Sequence, residues 1–244
     1  MLEIRNKKIL VVVAHPDDEL LGLGGTLNHL VHENKCQVHV TILGEGITSR
    51  SLERNTNDWV KELEEHKSNI LDAKKFIGYQ TLSTFDLPDN RFDSIPLLDI
   101  IKIIEEEKTK FQPDVIFTHH GGDLNIDHQR TFEATMTACR PMEQESVNTI
   151  ITFETPSGTE WRASSDPRHF TPNFFVELQS KHLQSKISAM DCYAYEKRSF
   201  PHPRSPEGLK ALAEYRGISV GSKYAEAFQV IRHIINTIND DIVI

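Results

Sequence analysis

The chain has 244 residues and a formal net charge of −9. That length can bury a full α/β core, and the acidic balance, with no basic stripe, excludes the electrostatic footprint of a nucleic-acid binder. The three cysteines, Cys36, Cys139 and Cys192, form no CxxC pair, which argues against a disulfide framework and against a thiolate metal site.

In chain order, Ile9–Val13 is an apolar run expected to form a buried parallel strand, and the spacing of Leu23, Leu27, Leu30 and Val31 predicts an amphipathic helix after it. Further strands are predicted at Gln37–Leu43, Thr81–Phe85, Asp114–Thr118 and Thr149–Phe153, with helices at Val60–Phe76, Ile95–Lys108 and His128–Ala138 between them. This alternation implies βαβ units, right-handed crossovers and a Rossmann-like, mostly parallel five-stranded sheet flanked by helices. The C-terminal third is decorated. Thr155–Pro172, with three prolines, Trp161 and Arg162, reads as a long surface loop or lid. A short strand (Asn173–Leu178), a helix (Gln179–Cys192), a proline-broken stretch after Phe200, a helix (Glu207–Arg216) and a last strand (Ala225–Ile231) follow. No repeat or domain boundary interrupts the chain, so one domain over 1–244 is expected. No stretch approaches the ~18 apolar residues of a membrane span, and no apolar leader is read, so the expectation is a soluble cytoplasmic protein.

The most informative segment is Val13-Ala14-His15-Pro16-Asp17-Asp18-Glu19. It sets an imidazole and paired carboxylates at the carboxyl end of the first strand, where open α/β sheets place their ligand sites. Adjacent buried carboxylates repel unless a cation or hydrogen-bond donors neutralise them. A second polar segment, Thr118-His119-His120-Gly121-Gly122-Asp123-Leu124-Asn125-Ile126-Asp127-His128, leaves the fourth strand, which lies beside the first in the usual doubly wound order. His15, Asp18 and His128 can then form a His₂Asp set with an open position, leaving Asp17 beside it for proton transfer.

These two segments resemble those of the PIG-L/LmbE-like family of zinc-dependent N-deacetylases, and Gly221-Ser222-Lys223-Tyr224-Ala225-Glu226-Ala227-Phe228 is similar to a segment near that family's C-terminus. The resemblance implies His15, Asp18 and His128 as ligands of Zn²⁺, with Fe²⁺ an alternative since the donor set accepts both. It also implies Asp17 as general base, an N-acetylated amino sugar or sugar conjugate as substrate, and a chain that can form homo-oligomers. The sequence departs from the pattern where many relatives carry His-x-x-Asp-His. The first histidine position falls on Leu124, and the nearest polar group is Asn125, an amide that can donate to an oxyanion but cannot shuttle a proton. Either Asp17 performs both proton steps, or His119, His120 or His202 substitutes. An arginine that relatives carry before the second helix is also missing, and His66-Lys67 occupies that region.

Substrate contacts are expected from Asp127, Arg91, Asp93 and Trp161. Asp127 has two other readings, as a helix cap and as a carboxylate that orients a ligand ring. Two rival functions remain: another amidase on the same scaffold, or a non-catalytic module that binds sugar or resembles a signalling receiver. A receiver needs a phosphoacceptor aspartate on a central strand and a later lysine. Neither stands out, and that reading leaves His15 without a purpose.

Overall fold

The computed structural model describes residues 3–235, so both ends of the expected 1–244 domain lie outside the described residues. One sheet contains β1 (Lys8–Val13), β2 (Gln37–Gly44), β3 (Thr81–Leu87), β4 (Val115–His119), β5 (Thr149–Phe153), β6 (Phe174–Glu177) and β7 (Ala225–His233). The helices are α1 (Asp18–His32), α2 (Val60–Ile77), α3 (Leu97–Phe111), α4 (Ile126–Ala138), α5 (Ser180–Met190) and α6 (Pro206–Ile218). None of the described helices is long and apolar enough to cross a membrane.

The spatial order is β3-β2-β1-β4-β5-β7-β6. The first five strands are mutually parallel, as their alternation with helices predicts, and β7 lies antiparallel between β5 and β6. The sheet is therefore mixed and seven-stranded rather than five-stranded. The two added strands were readable as strands, but nothing local in them specifies a partner. Helices cover both faces, which is why the central strands are apolar at successive positions rather than alternate ones. Ile9, Val11 and Val13 pack with Leu20, Leu27, Ile70 and Met190 on one face; Leu10, Val12 and Ala14 pack with Ile100, Ile104 and Ala134 on the other. The chain steps outward from β1 to β2 and β3, then crosses back to lay β4 on the opposite side of β1. That reversal opens a crevice at the carboxyl ends of β1 and β4.

α1 reaches this crevice with a kink at Leu23 (φ −150°, ψ 20°). The backbone groups near the kink are met by a buried ion pair. Lys186 Nζ donates to Leu21 O (2.9 Å), and Glu226 accepts from the N–H groups of Gly25 (3.2 Å) and Thr26 (2.7 Å). Lys186 and Glu226 are 2.6 Å apart, so each charge is both paired and hydrogen-bonded. A Cβ at Gly22 would stand 2.1 Å from the Phe153 ring, so α1 packs on the sheet at a distance only glycine permits there. Glu226 gives the Tyr224–Phe228 segment a physical role: it caps the helix where it restarts after the kink, behind the first turn that carries Asp18.

Candidate active site

The turn leaving β1 is strained. Asp17 has φ 98° and ψ −25°, a left-handed conformation unfavourable for a residue with a Cβ. Its carbonyl accepts from the N–H groups of Leu20 and Leu21, both at 2.9 Å, while its own N–H donates to Glu19 Oε2 (3.1 Å). Tyr193 OH donates to the other Glu19 oxygen (3.1 Å), anchoring that carboxylate. Ile47, Asn90 and Ser157 also have positive φ, and all four residues line one cleft of about 300 Å³. Backbone strain gathered around one cavity is an observation from which function can be inferred.

His15 lines the floor of the cleft, and Asp18 and His128 are buried behind it; each of the three offers a donor atom, and these atoms lie within 4.8 Å of one another. His15 Nδ1 and His128 Nε2 stand 3.4 and 3.3 Å from Asp18 Oδ2. Each imidazole has a carboxylate on its far side. His15 Nε2 donates to Asp127 Oδ2 (2.8 Å), and His128 Nδ1 lies 3.2 Å from Asp123 Oδ1, without the alignment of a hydrogen bond. This is how ligating histidines are usually oriented, with the second nitrogen on a carboxylate. A second grouping, His15 with Asp89 and Asp127, fits a cation less well. Both Asp127 oxygens are committed, to the N–H groups of Asn90 (2.6 Å) and Phe92 (2.9 Å) as well as to His15.

His119, the last residue of β4, is fully buried and stacks on His128 with centroids 3.8 Å apart. Ala14 N–H donates to its Nε2 (3.0 Å), so Nε2 is an acceptor and the proton sits on Nδ1, facing Thr155 Oγ1 (3.2 Å). The ring is neutral, and burial with the neighbouring His128 charge pushes its pKa down to about 4. His128 behaves oppositely. Burial would lower it, but the charges of Asp18 and Asp123 raise it to about 9. Burial likewise opposes, and is overcome by, the Asp127 and Asp18 contacts that raise His15 well above the ordinary histidine value. Burial opposes it, but His128 and His119 together hold Asp18 well below the carboxylate range. A floor that raises two imidazoles and keeps Asp18 ionised favours positive charge, so its residues fit a bound cation.

Asp17 is 2% exposed and lies on the cleft wall. Burial and the nearby Asp18, Glu196 and Glu19 raise its pKa well above the ordinary value, against the opposing Arg204. Arg204 Nη1 donates to Asp17 Oδ2 (3.1 Å) and Glu196 Oε2 (3.0 Å), and its Nε donates to Ser157 Oγ (2.7 Å).

The other expected site residues divide. Trp161 lines the cleft, edge-on to His202. Asn125 lines it too, but its side chain caps α4, accepting from Asp127 N (2.8 Å) and donating to Asn90 Oδ1 (2.9 Å). Asp127 is fully buried with its oxygens occupied, so it braces His15 and offers no free atom to a substrate. Arg91 and Asp93 do not line the cleft; the segment after β3 reaches it through Asp89 and Asn90. The 155–172 stretch is a wall rather than a detached lid. Thr155 contacts His119, Thr159 donates to Asp123, and Arg162 donates to the carbonyls of Gly122 and Asp123, both at 2.7 Å. Sequence reasoning gave no role to Asp123, Arg50, Glu196, Arg198 or Arg204. Asp123 had a signal, a carboxylate just past a strand end and five residues before His128. The arginines had none, since they sit on irregular segments where no period singles them out.

The PIG-L family, described as GlcNAc-PI de-N-acetylase, matches residues 10–139, which include both site segments. The chain belongs to the PIG-L family. It is 27% identical over 191 residues to the uncharacterized deacetylase YaiS of Escherichia coli K12, a match covering 76% of this chain and 90% of that protein. Its fold is similar to that of N,N'-diacetylchitobiose deacetylase from Pyrococcus horikoshii, with TM-score 0.72, 17% identity, and 93% and 84% of the two chains covered. It is equally similar to GalB, the 4-carboxy-2-hydroxymuconate hydratase of Pseudomonas putida KT2440, with TM-score 0.73, 19% identity, and 95% and 99% covered. A deacetylase and a hydratase thus share the architecture, and the reaction must be argued from the site.

Proposed function

We propose that this PIG-L family member is a metal-dependent hydrolase that removes the acetyl group from an N-acetylated amino sugar or sugar conjugate. The observation that carries the reading is the convergence of His15, Asp18 and His128 on the floor of a cleft whose wall carries Asp17. Two imidazoles and one carboxylate are a donor set for Zn²⁺, with Fe²⁺ the alternative, and the absence of thiolates among them disfavours softer metals. Such a cation, when bound, would polarise the acetamide carbonyl and acidify water.

The chain's own groups account for the proton movements. Asp17, as carboxylate, takes a proton from the attacking water as its oxygen bonds the carbonyl carbon. As the C–N bond breaks, the same carboxyl returns that proton to the departing amine nitrogen, giving the free amino sugar and acetic acid, which loses its remaining proton to solvent as acetate. A raised pKa suits this double use, because a group that both accepts and donates works best near the operating pH. Arg204 holds Asp17 oriented and limits that rise. Around the floor no other side chain is better placed for the second step, and His202, on the cleft lining beside Trp161, is the alternative donor. Leu124 has no proton to move, Asn125 is engaged as a cap, His119 is committed to Ala14 and Thr155, and His120 Nε2 is held by Arg168 O (2.8 Å).

The test is acetate release from a panel of N-acetylated sugars by Zn²⁺-loaded protein. Release stoichiometric with free amine, lost on chelation and restored by Zn²⁺, is expected. Metal-replete protein that frees no acetate from any of them would overturn the reading.

A further inference from the structure

The groups that meet the broken backbone of α1 come from far away in the chain. In an unbroken helix Leu21 O would accept from the Gly25 N–H, and Gly22 O from the Thr26 N–H. With Leu23 out of the helical conformation, Leu21 O accepts from Lys186 Nζ (2.9 Å), and the two N–H groups donate to the two oxygens of Glu226 (3.2 and 2.7 Å). Lys186 belongs to α5 and Glu226 to β7, and both side chains are 5% exposed.

Stability alone does not account for this pair. Two buried charges lose their hydration, and apolar residues of similar volume often stabilise a core as well or better. What an apolar pair cannot supply is one donor and two acceptors where the helix gives up its own bonds. The packing is specific to that break. A Cβ at Gly25 would stand 2.6 Å from Leu178 Cδ1, and one at Gly24 would stand 3.1 Å from Lys186 Cγ. Ahead of the break, the Leu20 and Leu21 N–H groups donate to Asp17 O, both at 2.9 Å. The carbonyl that Lys186 holds therefore belongs to a residue that closes the strained Asp17 turn.

We infer that Lys186 and Glu226 are positioning residues for the reaction. By replacing the helical bonds lost at Leu23, they fix the direction of the first turn of α1. That direction sets the meeting of Asp18 with His15 and His128, and the place of Asp17 on the cleft wall. Neither Lys186 nor Glu226 lines the cleft, so the pair acts only through α1. The inference rests on the reading of the site as that of a metal-dependent hydrolase, and it is measured first through metal binding rather than turnover.

The experiment replaces both charges together, Lys186→Met with Glu226→Leu, so that neither is left buried alone. Freed of the pair, the helix can recover its own Gly25-to-Leu21 bond and straighten, and the double variant should melt within a few degrees of wild type. Its Zn²⁺ affinity in calorimetric titration should fall by about 10–100-fold, and the visible spectrum of its Co²⁺ form should change. At saturating Zn²⁺, kcat should fall with KM nearly unchanged, because Asp17 lies on the displaced turn. Glu226→Gln is the milder variant, nearly isosteric, and it carries the test if the double variant does not fold. Its amide offers one oxygen to two N–H groups, so Zn²⁺ affinity should fall about tenfold. Met190→Ala, a loss of core packing on the same α5, separates position from stability. It should lower the melting temperature and leave Zn²⁺ affinity within about twofold.

Zn²⁺ affinity and Co²⁺ spectrum equal to wild type in the folded double variant, or in Glu226→Gln in its place, would overturn the inference, while acetate release by the wild type would leave the reaction reading standing. A loss of affinity in Met190→Ala as large as in the double variant would overturn it too, because any loosening of α5 would then suffice. If the wild type binds Zn²⁺ but frees no acetate, and affinity falls in the pair variants alone, the reaction reading falls and the positioning role stands.

Discussion

The two ends of the cleft are built on different principles. At the floor, His15, Asp18, His119 and His128 come from strand ends and helix starts, are almost fully buried, and are each tied to a second group such as Asp127, Asp123 or Thr155. At the outer wall, Arg50, Glu196 and Arg198 come from short or irregular segments and are more exposed, and both arginines share the one Glu196 carboxylate. Geometry that must hold a cation within a few tenths of an ångström needs rigid elements and braced ligands, whereas selecting among substrates can be done by longer side chains on loops. On the proposed reading, the floor together with Asp17 determines the reaction, and the outer wall determines what enters. Substitutions should separate the two.

The largest effect should come from the cation itself. Chelation, or His128→Ala, should reduce acetate release to background, and metal analysis of the variant should show its content reduced in parallel. Substantial turnover by a metal-free preparation would erase the distinction between floor and wall. Next comes Asp17→Asn. General-base catalysis of this kind is worth roughly 10²–10⁴ in rate, so kcat should fall by about that factor. Metal content should stay at the wild-type level, because Asp17 is not among the converging donors. A variant that loses metal along with activity would make Asp17 a ligand rather than the base.

A smaller effect is expected one layer behind the ligands. Asp127→Asn keeps an acceptor for His15 but loses its charge, and removing such a partner typically costs about 10–100-fold in metal affinity. Metal uptake should also release protons. His128 is raised to about 9 by Asp18 and Asp123 against the effect of burial, so below that pH a proton must leave before the ring can ligate. The sign follows: apparent affinity rises with pH and levels off above about 9. Titrations in buffers of different ionisation enthalpy measure the protons released. A pH-independent affinity from pH 6 upward, with no proton release, would show that this ring is not a ligand.

Legibility in the sequence follows the same division. β5 matches its expected span, Thr149–Phe153, and β1 to β4 fall within a few residues of theirs, because a doubly covered parallel sheet writes itself as apolar runs. The convergence of His15, Asp18 and His128 was legible because strand ends at a topological switch point limit where polar residues can meet. The bracing of His15 by Asp127 was only half legible, since a carboxylate beside a helix start serves equally as a cap. Asn125 turned out to provide that cap. The wall was not legible. Arg204 follows a proline-broken stretch and meets Asp17 across 187 positions, a contact set by tertiary packing that no local pattern encodes.

The smallest effects sharpen the boundary of the wall. Arg91 and Asp93 have the composition of sugar-contacting residues and follow a strand on the productive sheet edge, so sequence alone favours them. In the structure Asp93 is exposed, neither residue lines the cleft, and the Arg91 guanidinium makes a long 3.4 Å contact with Leu52 O. Surface substitutions away from caps, networks and cavities usually change stability by less than about 0.5 kcal/mol. Arg91→Ala and Asp93→Ala should therefore leave kcat/KM within about twofold of wild type, a difference of about 0.4 kcal/mol at most. Asp89→Ala, two positions earlier on the cleft wall and 3.4 Å from His15 Nε2, should do markedly worse. Steady-state kinetics on the three variants decides the matter. A loss at Arg91 equal to that at Asp89 would mean that the substrate extends past the cleft wall and over the 91–93 turn.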